Sequence, residues 1–172
     1  MKKRIDLDDI KKMIPEKPRI LGQDEMFRSV ILMLLYQKNG ELHFIFQKRH
    51  PDIRQGGEIS FPGGGFDKKL DQKLVDTAIR ETYEEMGIHP EKINIIGQLD
   101  TMVMAMGAIV YSFIGIADIK SLDEIEFNPE EVDEVFSIPL SYFVDNEPDK
   151  YHVELEIKPR KIDENGNEVV LL

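Results

Sequence analysis

Three glutamates stand where they could act together. In the stretch RETYEEMGI, residues 80–88, Glu81, Glu84 and Glu85 sit at i, i+3 and i+4, which are neighbours on a helix surface. At about 100° per residue their carboxylates span roughly 100° of arc. Like charges so placed repel one another, and a divalent cation would remove that penalty. Hard cations such as Mg²⁺ or Mn²⁺ take carboxylate and carbonyl oxygens and leave positions open for water and phosphate. Arg80 can reach Glu84 at i+4 and hold it in orientation. Just upstream runs FPGGG, Phe61 to Gly65. Glycine lets backbone approach a ligand closely. A loop of this kind ahead of a helix can offer a carbonyl, Gly64 foremost, to a metal and the amides of Gly63 and Gly64 to a phosphate. Taken singly, a glutamate-rich helix is a solvated face and a glycine triplet is a turn. Together they describe a place for a cation and a phosphate.

Other elements must position these groups. Val75, Ala78, Ile79, Thr82 and Met86 form a stripe beside the glutamates, a plausible core face. Gly87 falls where a left-handed glycine ends a helix. Phe27–Tyr36 reads as a buried strand, Asn39-Gly40 as a hairpin turn, and Leu42–Gln47 as the returning strand. Lys48, Arg49 and Arg54 then make a positive island ahead of the glycine loop. Lys and Arg often simply end strands. Beside a phosphate-type loop, Arg49 and Arg54 read as anion contacts, since arginine grips phosphate bidentately.

The totals agree with a single domain able to bury a core: 172 residues, 41% hydrophobic and 32% charged. A net charge of −11 argues against a nucleic-acid or acidic-membrane binder. It suits a protein that recruits cations to an anionic substrate. There is no cysteine, hence no disulfide, thiolate site or cysteine nucleophile. That composition, with no signal-peptide core, fits the cytoplasm. The longest apolar run, Val30–Tyr36, is too short to span a bilayer.

The string from Gly56 to Ile88 resembles the Nudix box: Gly, five residues, Glu, seven residues, then Arg-Glu-aliphatic-x-Glu-Glu-x-Gly-aliphatic. The second half matches at Arg80, Glu81, Glu84, Glu85, Gly87 and Ile88, with Thr82 in the aliphatic slot. In the first half the acidic slot falls on Gln72 counted back from Arg80, or on Asp71 counted forward from Gly65. The resemblance implies a Nudix-like α/β/α sandwich with a mixed central sheet. Element order alone gives an α+β or α/β/α domain. The family's chemistry would place Mg²⁺ or Mn²⁺ on Glu81, Glu84, Glu85 and the Gly64 carbonyl, with Glu81 orienting or deprotonating a water. PEEVDEVFSIPL, residues 129–140, resembles the acidic strand that often follows the box, with Glu131 and Glu134 as candidates for a further ligand or base.

A second resemblance covers residues 45–64, IFQKRHPDIRQGGEISFPGG. It is similar to the motif ahead of the box in the coenzyme A pyrophosphatase branch, matching at Arg49, Arg54, Gly57 and Phe61–Gly64. His50 replaces a small residue, and two residues rather than three separate Arg54 from Gly57. This branch implies a coenzyme A diphosphatase releasing 3′,5′-ADP and 4′-phosphopantetheine. The shortened spacing keeps open a Nudix pyrophosphatase for ADP-ribose, dinucleotides or nucleoside triphosphates. A non-catalytic nucleotide-binding module is the third reading, against which the complete glutamate trio argues.

The remaining chain is read as follows. A first helix spans residues 5–14, capped by Asp6, with Leu7, Ile10 and Ile14 turned inward. Ile93–Gly97 is a strand followed by a loop over Gln98–Val103, and Ile109–Ala117 is a further strand. Met102, Met104 and Met106 line an adaptable pocket or, more plainly, pack on the core. Ser141–Val144 is a short helix. Residues 151–172 form a hairpin about Glu164-Asn165-Gly166-Asn167; its apolar last strand implies either that the final helix usual in the coenzyme A branch is lost or that a second copy, and so a homodimer, covers that edge.

Overall fold

A computed structural model describes residues 6–16, 19–154 and 160–170. Helix α1 covers Leu7–Met13, and strands β1 (Phe27–Lys38) and β2 (Glu41–Arg49) form the first hairpin. Its turn is the one the Asn-Gly pair dictates, with φ of 51° at Asn39 and 86° at Gly40. Short strands β3 (Ile59–Ser60) and β4 (Gly63–Gly65) lead to helix α2 (Leu74–Met86). Strands β5 (Ile93–Met104) and β6 (Ala108–Ala117), then β7 (Val132–Pro139) and helix α3 (Leu140–Asp145), follow. Strands β8 (Arg160–Ile162) and β9 (Glu168–Val170) make a separate two-stranded hairpin.

The main sheet has seven strands in the order β3-β2-β1-β6-β5, with β4 also on β1 and β7 also on β2. The β1–β6 pair is parallel and the others are antiparallel, so the sheet is mixed as expected. Alternation along the strands defines two faces. Val30, Leu32, Leu34, Tyr36 and Ile45 pack with Ala78 and Met86 of α2. On the other face Phe44 and Phe46 meet Phe61 and Phe143, the last carried by α3. The sheet therefore lies between helices.

Helix α2 ends as its sequence requires. Gly87 has φ of 67°, its N–H donates to the Tyr83 carbonyl, and a side chain there would collide with the Glu126 backbone. Ala78, Thr82 and Met86 are buried; Val75 and Ile79 are half-buried. Thr82 serves in an aliphatic slot because its hydroxyl donates to the Ala78 carbonyl at 2.7 Å.

Several expectations need correction. Asp6 does cap α1, accepting from the Asp9 N–H at 2.9 Å, but Leu7, Ile10 and Ile14 are exposed, so α1 has no inward face. The glycine triplet is not a loop but the edge-to-core strand β4, paired with Ser29, Val30 and Ile31. Gln98–Val103 is not a loop either; it continues β5, whose irregular register shifts at two places. Met102 and Met106 are exposed rather than packed on the core. The C-terminal hairpin is shorter than residues 151–172, and Leu171 and Leu172 lie outside the described residues. Among the described residues no helix is long and apolar enough to cross a membrane.

Candidate active site

The site forms where α2 crosses β4. Period-2 alternation sends Ile45, Gln47 and Arg49 of β2 to the α2 side of the sheet. There Gln47, fully buried, donates from Nε2 to Glu85 Oε2 at 2.8 Å. The Gly63 N–H donates to the same oxygen at 2.9 Å. The Arg49 guanidinium stands 3.8 Å from Glu85 Oε1. One turn earlier on the helix, the Glu81 carboxylate lies directly against Gly64, where any side chain would collide with both of its oxygens. A side chain at 64 would push the Glu81 carboxylate from its place, so glycine here keeps that carboxylate against the strand.

Electrostatics distinguish these groups. Burial pushes Glu85 up to about 7, more than the Gly63 and Gln47 hydrogen bonds and Arg49 offset, with Glu81 adding to the rise. Burial also raises Glu81, and Glu84 and Glu131 raise it further, while Arg80 opposes them. Asp71 moves the other way. The Arg80 hydrogen bonds hold its carboxyl below the usual range, against the cost of burial. Arg80 grips Asp71 through Nε and Nη2, both at 3.0 Å, and reaches Glu81 and Glu84 through Nη1, both at 2.8 Å. Its Nη2 also approaches the Gly65 carbonyl at 3.5 Å.

The sequence left Asp71 and Gln72 as alternatives, and the structure separates them. Asp71 is buried with Arg80 and Thr77, while Gln72 is exposed. The downstream candidates also separate. Glu131 is close enough to raise Glu81, and its carbonyl accepts the His50 N–H at 2.9 Å. Glu134 faces Lys48 across the β2–β7 ladder, away from the helix glutamates. Arg49 is half-buried and its Nε donates to the Arg54 carbonyl at 3.2 Å, pinning the loop that carries the exposed Arg54. Gln47 escaped sequence reasoning. The one signal that could have found it is its place between Ile45 and Arg49 on alternate positions of β2.

Among the described residues no three carboxylates or imidazoles converge as a ready-made cation site. Arg80 draws Glu81 and Glu84 to one side, while Gln47 and Gly63 hold Glu85 on the other. The donor chemistry nevertheless fits a hard divalent cation. Oxygen donors of Glu81 and Glu85 meet at a strand stripped of side chains, where burial first and neighbouring carboxylates second raise both pKa values. The buried Gln47 Oε1, on the same carboxamide that donates to Glu85, has no hydrogen-bond partner among the described residues.

Comparison with known proteins bears on the family and the fold. The mouse peroxisomal coenzyme A diphosphatase NUDT7 is 35% identical over 115 residues, covering 66% of this chain and 48% of that protein. The human mitochondrial coenzyme A diphosphatase NUDT8 is 37% identical over 100 residues, covering 57% of this chain and 41% of that protein. The chain thus spans about half the length of these curated relatives. Among solved structures, the Nudix hydrolase RenU from M. smegmatis superposes with a TM-score of 0.55 at 19% identity, covering 68% of this chain and 73% of that one, a likeness of fold. The profile of the NUDIX domain matches residues 26–157, and the chain belongs to the Nudix family.

Proposed function

We propose that this protein hydrolyses the diphosphate linkage of a nucleotide-derived small molecule, with coenzyme A as the substrate and 3′,5′-ADP and 4′-phosphopantetheine as products. The observation that carries the reading is the junction of Glu85, Gly63, Glu81 and Gly64. Two desolvated carboxylates abut a glycine backbone, and arginines stand at its margin. The resemblance of residues 45–64 to the coenzyme A motif, and the names of the curated relatives, favour coenzyme A over other diphosphates.

Glu81 and Glu85, with Glu84 at the outer position and the Gly64 carbonyl, would hold Mg²⁺ or Mn²⁺. When bound, such a cation supplies Lewis acidity toward the diphosphate oxygens and the attacking water. Phosphoryl transfer asks chiefly for positioning and charge neutralisation. Arg49 and Arg54 provide both on the β2 side, binding diphosphate oxygens. Gln47 and the Gly63 N–H fix the Glu85 carboxylate in one orientation. Glu81 accepts the proton of the attacking water, and Glu131 is the downstream carboxylate nearest to assist it. Arg80 positions Glu81 and Glu84 and is itself held by Asp71. A cytoplasmic setting rests on the cysteine-free composition; the named relatives are peroxisomal and mitochondrial.

The test is incubation with Mn²⁺ or Mg²⁺ and a panel of coenzyme A, ADP-ribose, dinucleotides and nucleoside triphosphates, with products separated by chromatography. Release of 3′,5′-ADP from coenzyme A is expected. Faster turnover of ADP-ribose than of coenzyme A would move the assignment to the second reading, which the shortened spacing between Arg54 and Gly57 supports. Tight nucleotide binding without turnover of any member would make the protein a binding module.

A further inference from the structure

We propose that a hollow beside Phe66 is an anion subsite that takes a phosphate monoester on the ribose of the substrate. This rests on the diphosphatase reading and extends it. The hollow, about 480 Å³ in volume, is bounded by Arg28, Phe66, Lys68, Lys69 and Asp71. In a chain of net charge −11, three cations gather here, and none of the three forms an ion pair among the described residues. Of the acids nearby, the one that lines the hollow is already paired. Asp71 is taken up by Arg80 and Thr77, and Asp67 accepts the Lys69 N–H at 2.8 Å. The Arg28 guanidinium lies 4.6 Å from the centre of the Phe66 ring. That contact holds the cation over the ring and leaves its N–H donors unused among the described residues.

The position suits a second phosphate. The Phe66 N–H donates to the Arg28 carbonyl at 2.9 Å, one rung beyond the β1–β4 ladder. Gly64, against which Glu81 packs, is two residues back along the same extended stretch, about 7 Å. Asp71, on the wall of the hollow, is tied through Arg80 to Glu81 of the carboxylate site. A diphosphate over Gly64 would therefore send its ribose toward Phe66, while Arg49 and Arg54 stand on the opposite side. Coenzyme A carries a 3′-phosphate on that ribose; ADP-ribose and unmodified dinucleotides do not. The Arg28 fork and the two ammonium groups match a dianionic monoester.

The test compares coenzyme A with 3′-dephospho-coenzyme A. Wild-type protein should favour coenzyme A by about tenfold in kcat/KM, through KM, as expected for a charge-assisted contact. In Arg28→Met, and in the exposed double variant Lys68→Ala/Lys69→Ala, that ratio should fall to near one. Equal use of both substrates by wild type would overturn the subsite while leaving the diphosphatase reading intact. So would variants that keep the ratio. Failure to hydrolyse either substrate would count against the diphosphatase reading instead. Calorimetry with 3′,5′-ADP and 5′-AMP then decides the subsite alone: tighter binding of 3′,5′-ADP that the variants lose supports it, and equal binding overturns it.

Discussion

Helix α2 packs against two buried acidic corners, one at Asp71 just ahead of it and one at its own Glu85, that differ in almost every physical respect. At the Arg80 corner, Asp71 receives two arginine N–H groups and the Thr77 hydroxyl, and its carboxyl is held below its ordinary range. At the Glu85 corner, an equally buried carboxylate receives a backbone amide and a neutral carboxamide, with Arg49 only at 3.8 Å, and is pushed up to about 7. The first corner is neutralised within the protein. The second is left with charge that Arg49 only partly offsets. A paired acid of the first kind maintains a fold. An under-compensated one of the second kind is where chemistry is expected, because its charge awaits a partner from outside.

The sharpest way to break this contrast is to neutralise Glu85. Glu85→Gln should lower metal-dependent turnover on the order of 10³-fold. Its melting temperature at pH 8 should be no lower than that of wild type, since an under-compensated buried charge is removed. Turnover within tenfold of wild type would erase the distinction. The companion change, Asp71→Asn, should do the reverse. Breaking a buried ion pair costs about 3 kcal/mol, which for a chain of this size lowers Tm by about 10 °C. Unfolding at neutral pH with no shift would show that the Arg80 corner is not structural.

The pH dependence of the metal-free protein should display both corners at once. Glu85 rises from 4.5 to about 7 on folding. The native state therefore binds the proton more tightly than the unfolded chain, and stability falls as pH rises between those values, by on the order of 3 kcal/mol. Asp71 is lowered, so its contribution is present above its unfolded value and is lost as pH falls through the folded one. Chelator-treated protein should thus be most stable near mildly acidic pH. Glu85→Gln should flatten the limb above pH 5, and Asp71→Asn should flatten the limb below it. Denaturant unfolding across pH measures both.

Much of this contrast was legible in the residues, and the boundary is instructive. The i, i+3, i+4 spacing placed the glutamates, and Gly87 ended the helix, because both depend only on local geometry. The choice between Asp71 and Gln72 was not legible. Counting fails there because a turn absorbs the odd residue, with the Leu70 and Asp71 N–H groups both donating to the Asp67 carbonyl. Only burial decides which side chain meets Arg80. The strand at Gly63–Gly65 was also hidden, since glycine has low strand propensity and long-range pairing with β1 overrides it. Gln47 was hidden because its partner is 38 positions away in sequence.

Gln47 supplies the next prediction. Gln47→Met keeps the volume but removes the donor to Glu85 Oε2. Residues that orient a metal-binding group from behind contribute 10- to 100-fold, so a loss of about that size is expected in both Mn²⁺ affinity and turnover. Mn²⁺ binding followed by electron paramagnetic resonance reads the first directly. An unchanged affinity alongside reduced melting would reduce Gln47 to a packing residue.

The smallest effect should come from Glu84, which shares the helix face but neither corner's burial. Its side chain is 49% exposed and, among the described residues, is engaged by Arg80 alone. Solvent screens that pair, so its loss should cost less than about 1 kcal/mol of stability. Any loss of turnover in Glu84→Gln then reports a part in holding the outer cation. About tenfold is expected, relieved by raised Mn²⁺ concentration because the defect lies in affinity. A loss as deep as that of Glu85→Gln, unrelieved by metal, would mean that exposure is a poor guide to role on this face, and the two corners would have to be redrawn around all three glutamates.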